Sequence, residues 1–172
     1  MRYSPLALAL SALAALTSSS GQSQGITPMD PRAASLEAIG RGALAAGDTA
    51  QATDAFEAAL AVDPGANQLL LDLALAARRE GLQGKALHYY RAVIGRDSQN
   101  LAAIAGEGEA LAEKGAIDKA KRNLAQLENL CGSDCGPSRE LASAIAQGAL
   151  KEAAPQMVSA DALKPKDAVS PN

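Results

Sequence analysis

Glycines stand at positions 47, 81 and 115 and alanines at 52, 86 and 120, so that both series recur every 34 residues. A fixed period of this size marks one helix-turn-helix unit written three times, since a lone pair of helices can bury its apolar face only against a neighbouring pair. The chain must fold as a stack. A stack presents an extended surface to other molecules, which makes binding the default role of such an architecture.

Composition says what the stack is made of. Hydrophobic residues make up 48% of the 172-residue chain but aromatics only 2%, with one Phe, three Tyr and no Trp. The core must therefore be built from Ala, Leu, Ile and Val, and small side chains imply close helix packing. Alanine is the strongest helix former, and runs of alternating Val, Thr and Tyr are missing, so the chain reads as all-α. The formal net charge is -3. No stretch gathers Lys and Arg on one face with aromatics between them, which argues against a nucleic-acid partner.

Each unit follows the same local rules. Asp30-Pro31 supplies an N-cap side chain beside a proline suited to the first helical turn. Leu36, Ile39, Ala43 and Ala46 then recur at helical spacing until Gly47 stops the helix, and Asp48 with Gln51 resembles a capping box for the next one. The second helix places Ala52, Ala55, Phe56, Ala59 and Leu60 on one face and ends at Asp63-Pro64-Gly65. The second unit repeats this from Asn67, with Leu70, Leu73, Ala74 and Ala77, a stop at Gly81, then Ala86, Tyr90 and Val93. The third has Ile104, Gly108 and Leu111, a stop at Gly115, then Ala120, Leu124 and Leu127, and closes in the loop CGSDCGP. After Pro137 a further helix carries Leu141, Ile145 and Leu150 on one face. It is expected to cap the stack, whose last unit would otherwise leave its apolar face in water.

The flanks differ in kind. Residues 1–20 combine a basic start at Arg2 with an apolar run from Leu6 to Leu16 and small polar residues beyond, the form of a secretory signal peptide. The apolar run falls well short of the roughly 20 residues a membrane-spanning helix needs. Cleavage is expected between Thr17 and Gly25, with no cysteine there to take a lipid, leaving a soluble chain without a membrane partner. Residues 21–30 read as a linker, 31–152 as the repeat domain with its capping helix, and 153–172, polar with Pro155, Pro165 and Pro171, as a disordered tail.

The repeated residues resemble the tetratricopeptide repeat. Leu36, Ile39-Gly40, Ala43, Ala52, Phe56, Ala59 and Pro64 fall on its pattern in the first copy. The second copy offers Leu70, Leu73-Ala74, Ala77, Ala86, Tyr90 and Val93, and the third Ile104, Gly108, Leu111, Ala120, Leu124 and Leu127. Ser98 and Gly132 stand where the final proline would be. Gly40, Ala74 and Gly108 are small where paired helices cross, as are Ala52, Ala86 and Ala120. Glu107 departs from the pattern at a position normally held by a buried Leu; it either reaches solvent or has a polar partner. The resemblance covers residues 32 to 132 and implies an all-α solenoid of three repeats plus the C-terminal capping helix.

It also implies a concave groove that holds a protein or peptide partner. The lining positions would be Glu37, Arg41, Leu44, Gln68, Leu71, Leu75, Arg78, Ala105, Glu109 and Ala112. Some relatives carry a Lys/Asn/Arg clamp for a terminal carboxylate, but Glu37, Arg41, Ala105 and Glu109 do not reproduce it. Leu71 and Leu75, four apart, either anchor an apolar partner segment or face a neighbouring helix. Arg78 and Arg79 suit a helix C-terminus and stand near the groove rim, where they could meet an acidic partner.

Cys131 and Cys135 are the only cysteines. Export would place them in an oxidising compartment and favour a structural disulfide, worth about 2 kcal/mol for so small a loop. A redox pair and unpaired thiols are the alternatives, while a metal site would need ligands this neighbourhood lacks. His88, the sole histidine, has no accompanying nucleophile and orienting group. The expectation is a non-catalytic adaptor without cofactor, exported to the bacterial periplasm and similar to repeat proteins that assist pilus, secretion or envelope assembly. A thiol-redox module and a self-stacking structural subunit are the rival readings.

Overall fold

The computed structural model describes residues 28–161, with side chains through Leu150. The expected signal segment, most of the linker and residues 162–172 lie outside the described residues. Among the described residues seven helices follow one another: α1 (Pro31–Ala45), α2 (Thr49–Val62), α3 (Asn67–Arg79), α4 (Gln83–Arg96), α5 (Leu101–Glu113), α6 (Ile117–Cys131) and α7 (Gly136–Asp161). None of them is long and apolar enough to cross a membrane.

The 34-residue period is a period of turns. Gly47, Gly81 and Gly115 have φ of 85°, 75° and 81°, the left-handed conformation that a side chain opposes. At each, the following amide reaches back to the helix just ended: Asp48 to the Ala43 carbonyl at 2.9 Å, Leu82 to Ala77 at 2.9 Å and Ala116 to Leu111 at 2.8 Å. This Schellman closure satisfies carbonyls that the helix end leaves open and reverses the chain into the next helix. Asp30 caps α1 by accepting from the Arg32 amide at 2.8 Å, and Asp48 caps α2 by accepting from the Gln51 amide at 2.9 Å.

Three hairpins result, α1 with α2, α3 with α4 and α5 with α6, stacked so that α2 packs on α3 and α4 on α5. The first helices also touch one another, α1 with α3 and α3 with α5, forming one side of the stack. Ala52, Ala86 and Ala120 are fully buried, as are Ala74, Val93, Ile104 and Leu127. At Gly40 an added Cβ would stand 2.5 Å from the Phe56 ring, so only glycine lets α1 lie against α2 there. Gly108 is tight for a different neighbour, the Leu141 side chain of α7 at 2.5 Å from such a Cβ.

The capping helix takes the place a fourth unit's first helix would occupy, against α5 and α6. Its packed stripe is Leu141, Ala144, Ile145 and Gly148. Leu150, expected on that face, is instead 72% exposed, because the stripe at i, i+3, i+4 and i+7 turns position 150 away. The helix also runs on to Asp161 rather than giving way to a disordered tail at residue 153. Lys151, Glu152, Ala154, Gln156 and Met157 are good helix formers on either side of Pro155.

Ile39 of α1 and Ala46 at its C-cap differ from expectation. Ile39 is 54% exposed and Ala46 is exposed, whereas Leu73, at the same repeat position as Ile39, is 1% exposed. Leu73 packs with Phe56 and Ala52 of the preceding hairpin. Among the described residues no hairpin precedes α1, so Ile39 has nothing to pack against.

Candidate functional site, a groove between the first helices

The face shared by α3, α5 and the start of α7 is hollow. Its pocket, about 320 Å³, is lined by Gln68, Leu71, Asp72, Leu75 and Arg78 of α3, Ala102, Ala105, Gly106 and Glu109 of α5, Pro137 and Glu140 of α7, and Tyr90 from α4. Helical spacing accounts for the membership: residues 68, 71, 72, 75 and 78 fall along one face of α3, and residues 102, 105, 106 and 109 along one face of α5. The period then sets 71 beside 105 and 75 beside 109 in successive units. Gly106 lets Tyr90 reach this floor, since any Cβ there would collide with the phenol ring.

Six of the ten residues expected to line the groove do so: Gln68, Leu71, Leu75, Arg78, Ala105 and Glu109. Leu71 and Leu75 are half-buried, each resting on a core cluster while also lining the pocket. Glu37 and Arg41 flank the pocket through Asp72 rather than lining it. Leu44 and Ala112 are buried, at 5% and 1% exposure. Leu44 packs with Phe56 and Leu73, and Ala112 lies beneath Gly148 of α7. Their place in the repeat matches that of Arg78, but short apolar side chains are covered where a long cationic one reaches out.

Two ion clusters organise the polar part. Asp72 is buried, and its carboxylate accepts from Arg41 Nη2 at 3.3 Å and from Gln68 Nε2 at 3.2 Å. Arg41 also pairs with Glu37 at 2.6 Å. Burial, together with the neighbouring Asp72 carboxylate, to which the protonated Glu37 donates, pushes the Glu37 carboxyl above its ordinary value, against the pull of Arg41. In the second cluster Arg78, whose side chain is 15% exposed, pairs with Glu109 and with Glu113, each at 2.5 Å. Burial alone would depress its guanidinium, but Glu113, the Tyr90 phenol and Glu109 hold it above its ordinary value. Burial likewise raises the Tyr90 phenol, with Arg78 opposing.

Of the two arginines near the rim, Arg78 is thus committed within the chain. Arg78 is held by two carboxylates, and Arg79 donates to the Leu44 carbonyl at 2.6 Å. Arg79 is exposed and keeps its charge, since a carbonyl does not neutralise a guanidinium. Glu107, the departure from the repeat pattern, has polar partners: it accepts from Arg91 Nε at 2.7 Å and from Asn123 Nδ2 at 3.0 Å.

The remaining candidates lie elsewhere. His88 is exposed on α4, edge-on to Tyr89 at 5.7 Å between ring centroids. Cys131 and Cys135 are paired across the α6–α7 loop with Cα atoms 5.9 Å apart, and Ser138 Oγ, buried, lies 3.2 Å from the Cys135 sulfur. Among the described residues no group of His, Cys, Asp and Glu is arranged to hold a metal ion. Sequence reasoning missed Asp72, Tyr90, Ala102, Gly106, Pro137 and Glu140 among the lining residues, and Glu113 as a partner of Arg78.

Hairpins in 34-residue register, each closed by a left-handed glycine and nested through small residues, define a tetratricopeptide repeat protein. Within that class the chain belongs to the Protein kinase G tetratricopeptide repeat family, whose model matches residues 31–159. Among proteins of curated function none matches the sequence. Solved structures share the fold. The Sgt2 TPR domain from Aspergillus fumigatus superposes with a TM-score of 0.61 at 21% identity, covering 83% of this chain and 91% of that one. The TPR2B domain of yeast Sti1, in a complex with pHsp70, gives 0.64 at 14% identity, covering 71% and 99%. The type III secretion chaperone SycD of Yersinia enterocolitica, in complex with a peptide of the translocator YopD, gives 0.60 at 20% identity, covering 69% and 93%.

Proposed function

We propose that the chain is a non-catalytic scaffold that binds an extended segment of a partner protein in the groove between α3, α5 and α7. The observation that carries this reading is the pocket itself: an open hollow with an apolar floor at Leu71, Leu75 and Ala105 and polar groups converging on its edge, the form expected of a peptide-recognition groove. Structures of the same fold hold partners, SycD a peptide of the translocator YopD and the Sti1 domain pHsp70. The basic start and apolar run of residues 1–20, the form of an export signal, support an exported address, and we infer from them a role in the bacterial cell envelope, in pilus, secretion or envelope assembly.

Filling the groove tests the reading. Ala102 is exposed and lines the pocket, so Ala102→Trp occupies the hollow without disturbing the core. Twelve-residue peptides selected by phage display on the full chain should lose at least tenfold in affinity for this variant, with its melting temperature unchanged. Undiminished binding would place the partner site elsewhere.

A further inference from the structure

The carboxylates lining and flanking the groove outnumber its arginines. Arg41, half-exposed, pairs with Glu37 and Asp72, and Arg78 is enclosed by Glu109 and Glu113. Each guanidinium therefore sits among more negative charge than it can neutralise. Glu140 adds a fifth carboxylate from α7, exposed at the rim of the same pocket and without an ion-pair partner among the described residues. Beneath this acidic rim lie Leu71 and Leu75, half-buried and open to the pocket. A lysine or arginine has the complementary form, an aliphatic stem for an apolar floor and a cationic head for carboxylates at its edge.

Resting on the groove reading above, we propose that the occupant is a basic segment of a partner protein, one that inserts a Lys or Arg side chain along Leu71 and Leu75 with its charge toward Glu109 and Glu140. An acidic tail is disfavoured on the same grounds. It would meet uncompensated carboxylates, and Arg78, the arginine that lines the pocket, is already held by Glu109 and Glu113. Complementary charge of this kind sets which partner is accepted and how fast it arrives.

Two defined probes separate the possibilities. SRMEEVD is the acidic peptide held by the first TPR domain of Spaghetti (RPAP3); the second probe is its charge-swapped counterpart SRMKKVK with an amidated C-terminus. Both are titrated, fluorescently labelled, against the full chain at low and at physiological salt. The cationic probe should bind the more tightly by about tenfold or more and weaken as salt rises. Glu140→Lys, an exposed change, and separately Glu109→Gln should each reduce that binding severalfold. Lys and Arg should be enriched among the phage-selected sequences.

Equal or tighter binding of SRMEEVD overturns the proposal while leaving the groove reading intact, as does a selected pool without excess Lys or Arg. Failure of both probes to bind, or a cationic probe indifferent to Glu140→Lys and Glu109→Gln, also overturns it. If that probe is indifferent to Ala102→Trp as well, it lies outside the groove, and the function proposed above falls with the charge assignment. Self-association of the chain during the titration, seen by sedimentation, would make a second copy the occupant and contradict a basic partner.

Discussion

Glu107 and Asn123 meet across the α5–α6 hairpin, with the Asn123 amide donating to Glu107 Oε2 at 3.0 Å and to the Ile104 carbonyl at 3.1 Å. Arg91 of the preceding hairpin donates to the other oxygen of Glu107 at 2.7 Å. A carboxylate at a position where the repeat expects leucine is thus the tie between two units. Ile39, Leu73 and Glu107 occupy one repeat position and show three outcomes: open to water, packed on a hairpin, and bonded to one.

Glu107→Ala should destabilise the fold by about 1–2 kcal/mol, the range for losing charge-assisted hydrogen bonds at a part-buried site. In a double-mutant cycle with Asn123→Ala the two losses should be less than additive, because each removes the same bond. Urea midpoints measure this, and strict additivity would show that the pair does not interact.

Ala86→Leu should cost about 1–3 kcal/mol by overfilling the α3–α4 crossing, where Ala86 has no exposure. Thermal denaturation followed by circular dichroism checks it. An unchanged melting temperature would contradict the small-residue nesting of the units.

Glu37 gives a pH signature. Its carboxyl is raised above the ordinary glutamate value of 4.5 by burial and by Asp72, so the folded state holds the proton more tightly than the unfolded chain. The resulting stabilisation is complete below pH 4.5 and is lost as pH rises through the folded value. Urea midpoints should therefore fall for the native chain relative to Glu37→Gln as pH is raised above 4.5. A relative rise over that interval would contradict the assignment.

Cys131 and Cys135 enclose only a short loop at the far end of the stack from α1. If they form a structural disulfide, reduction should lower stability by at most about 2 kcal/mol and leave the helical content and peptide affinity unchanged. A reductant-dependent loss of peptide binding would instead couple this loop to the groove.

Much of the fold is legible in the sequence because the turns are written in glycine: residues 47, 81 and 115 must be left-handed, and the closures at Asp48, Leu82 and Ala116 follow. The period also fixes which face of each helix packs. It does not say whether anything lies there to pack against, which is why Ile39 and Leu73 differ. Nor does it settle how far a side chain reaches, so Leu44 and Ala112 are buried at the position where Arg78 enters the groove. Asp72 and Glu113 were not recognised because their partners come from other units: Arg41 meets Asp72 across 31 residues and Arg78 meets Glu113 across 35. Tyr90 reaches the site only because Gly106, two residues before the repeat's small position, clears its path.

The central claim is that one side of the stack, and not the whole surface, receives a partner. A photo-crosslinking p-benzoylphenylalanine placed at Ala102 in the groove, and in a second preparation at exposed His88 on α4, tests it with the selected peptides in solution. Covalent adducts should form from position 102 and not from position 88. Equal yields from the two positions, or adducts from 88 alone, would contradict it.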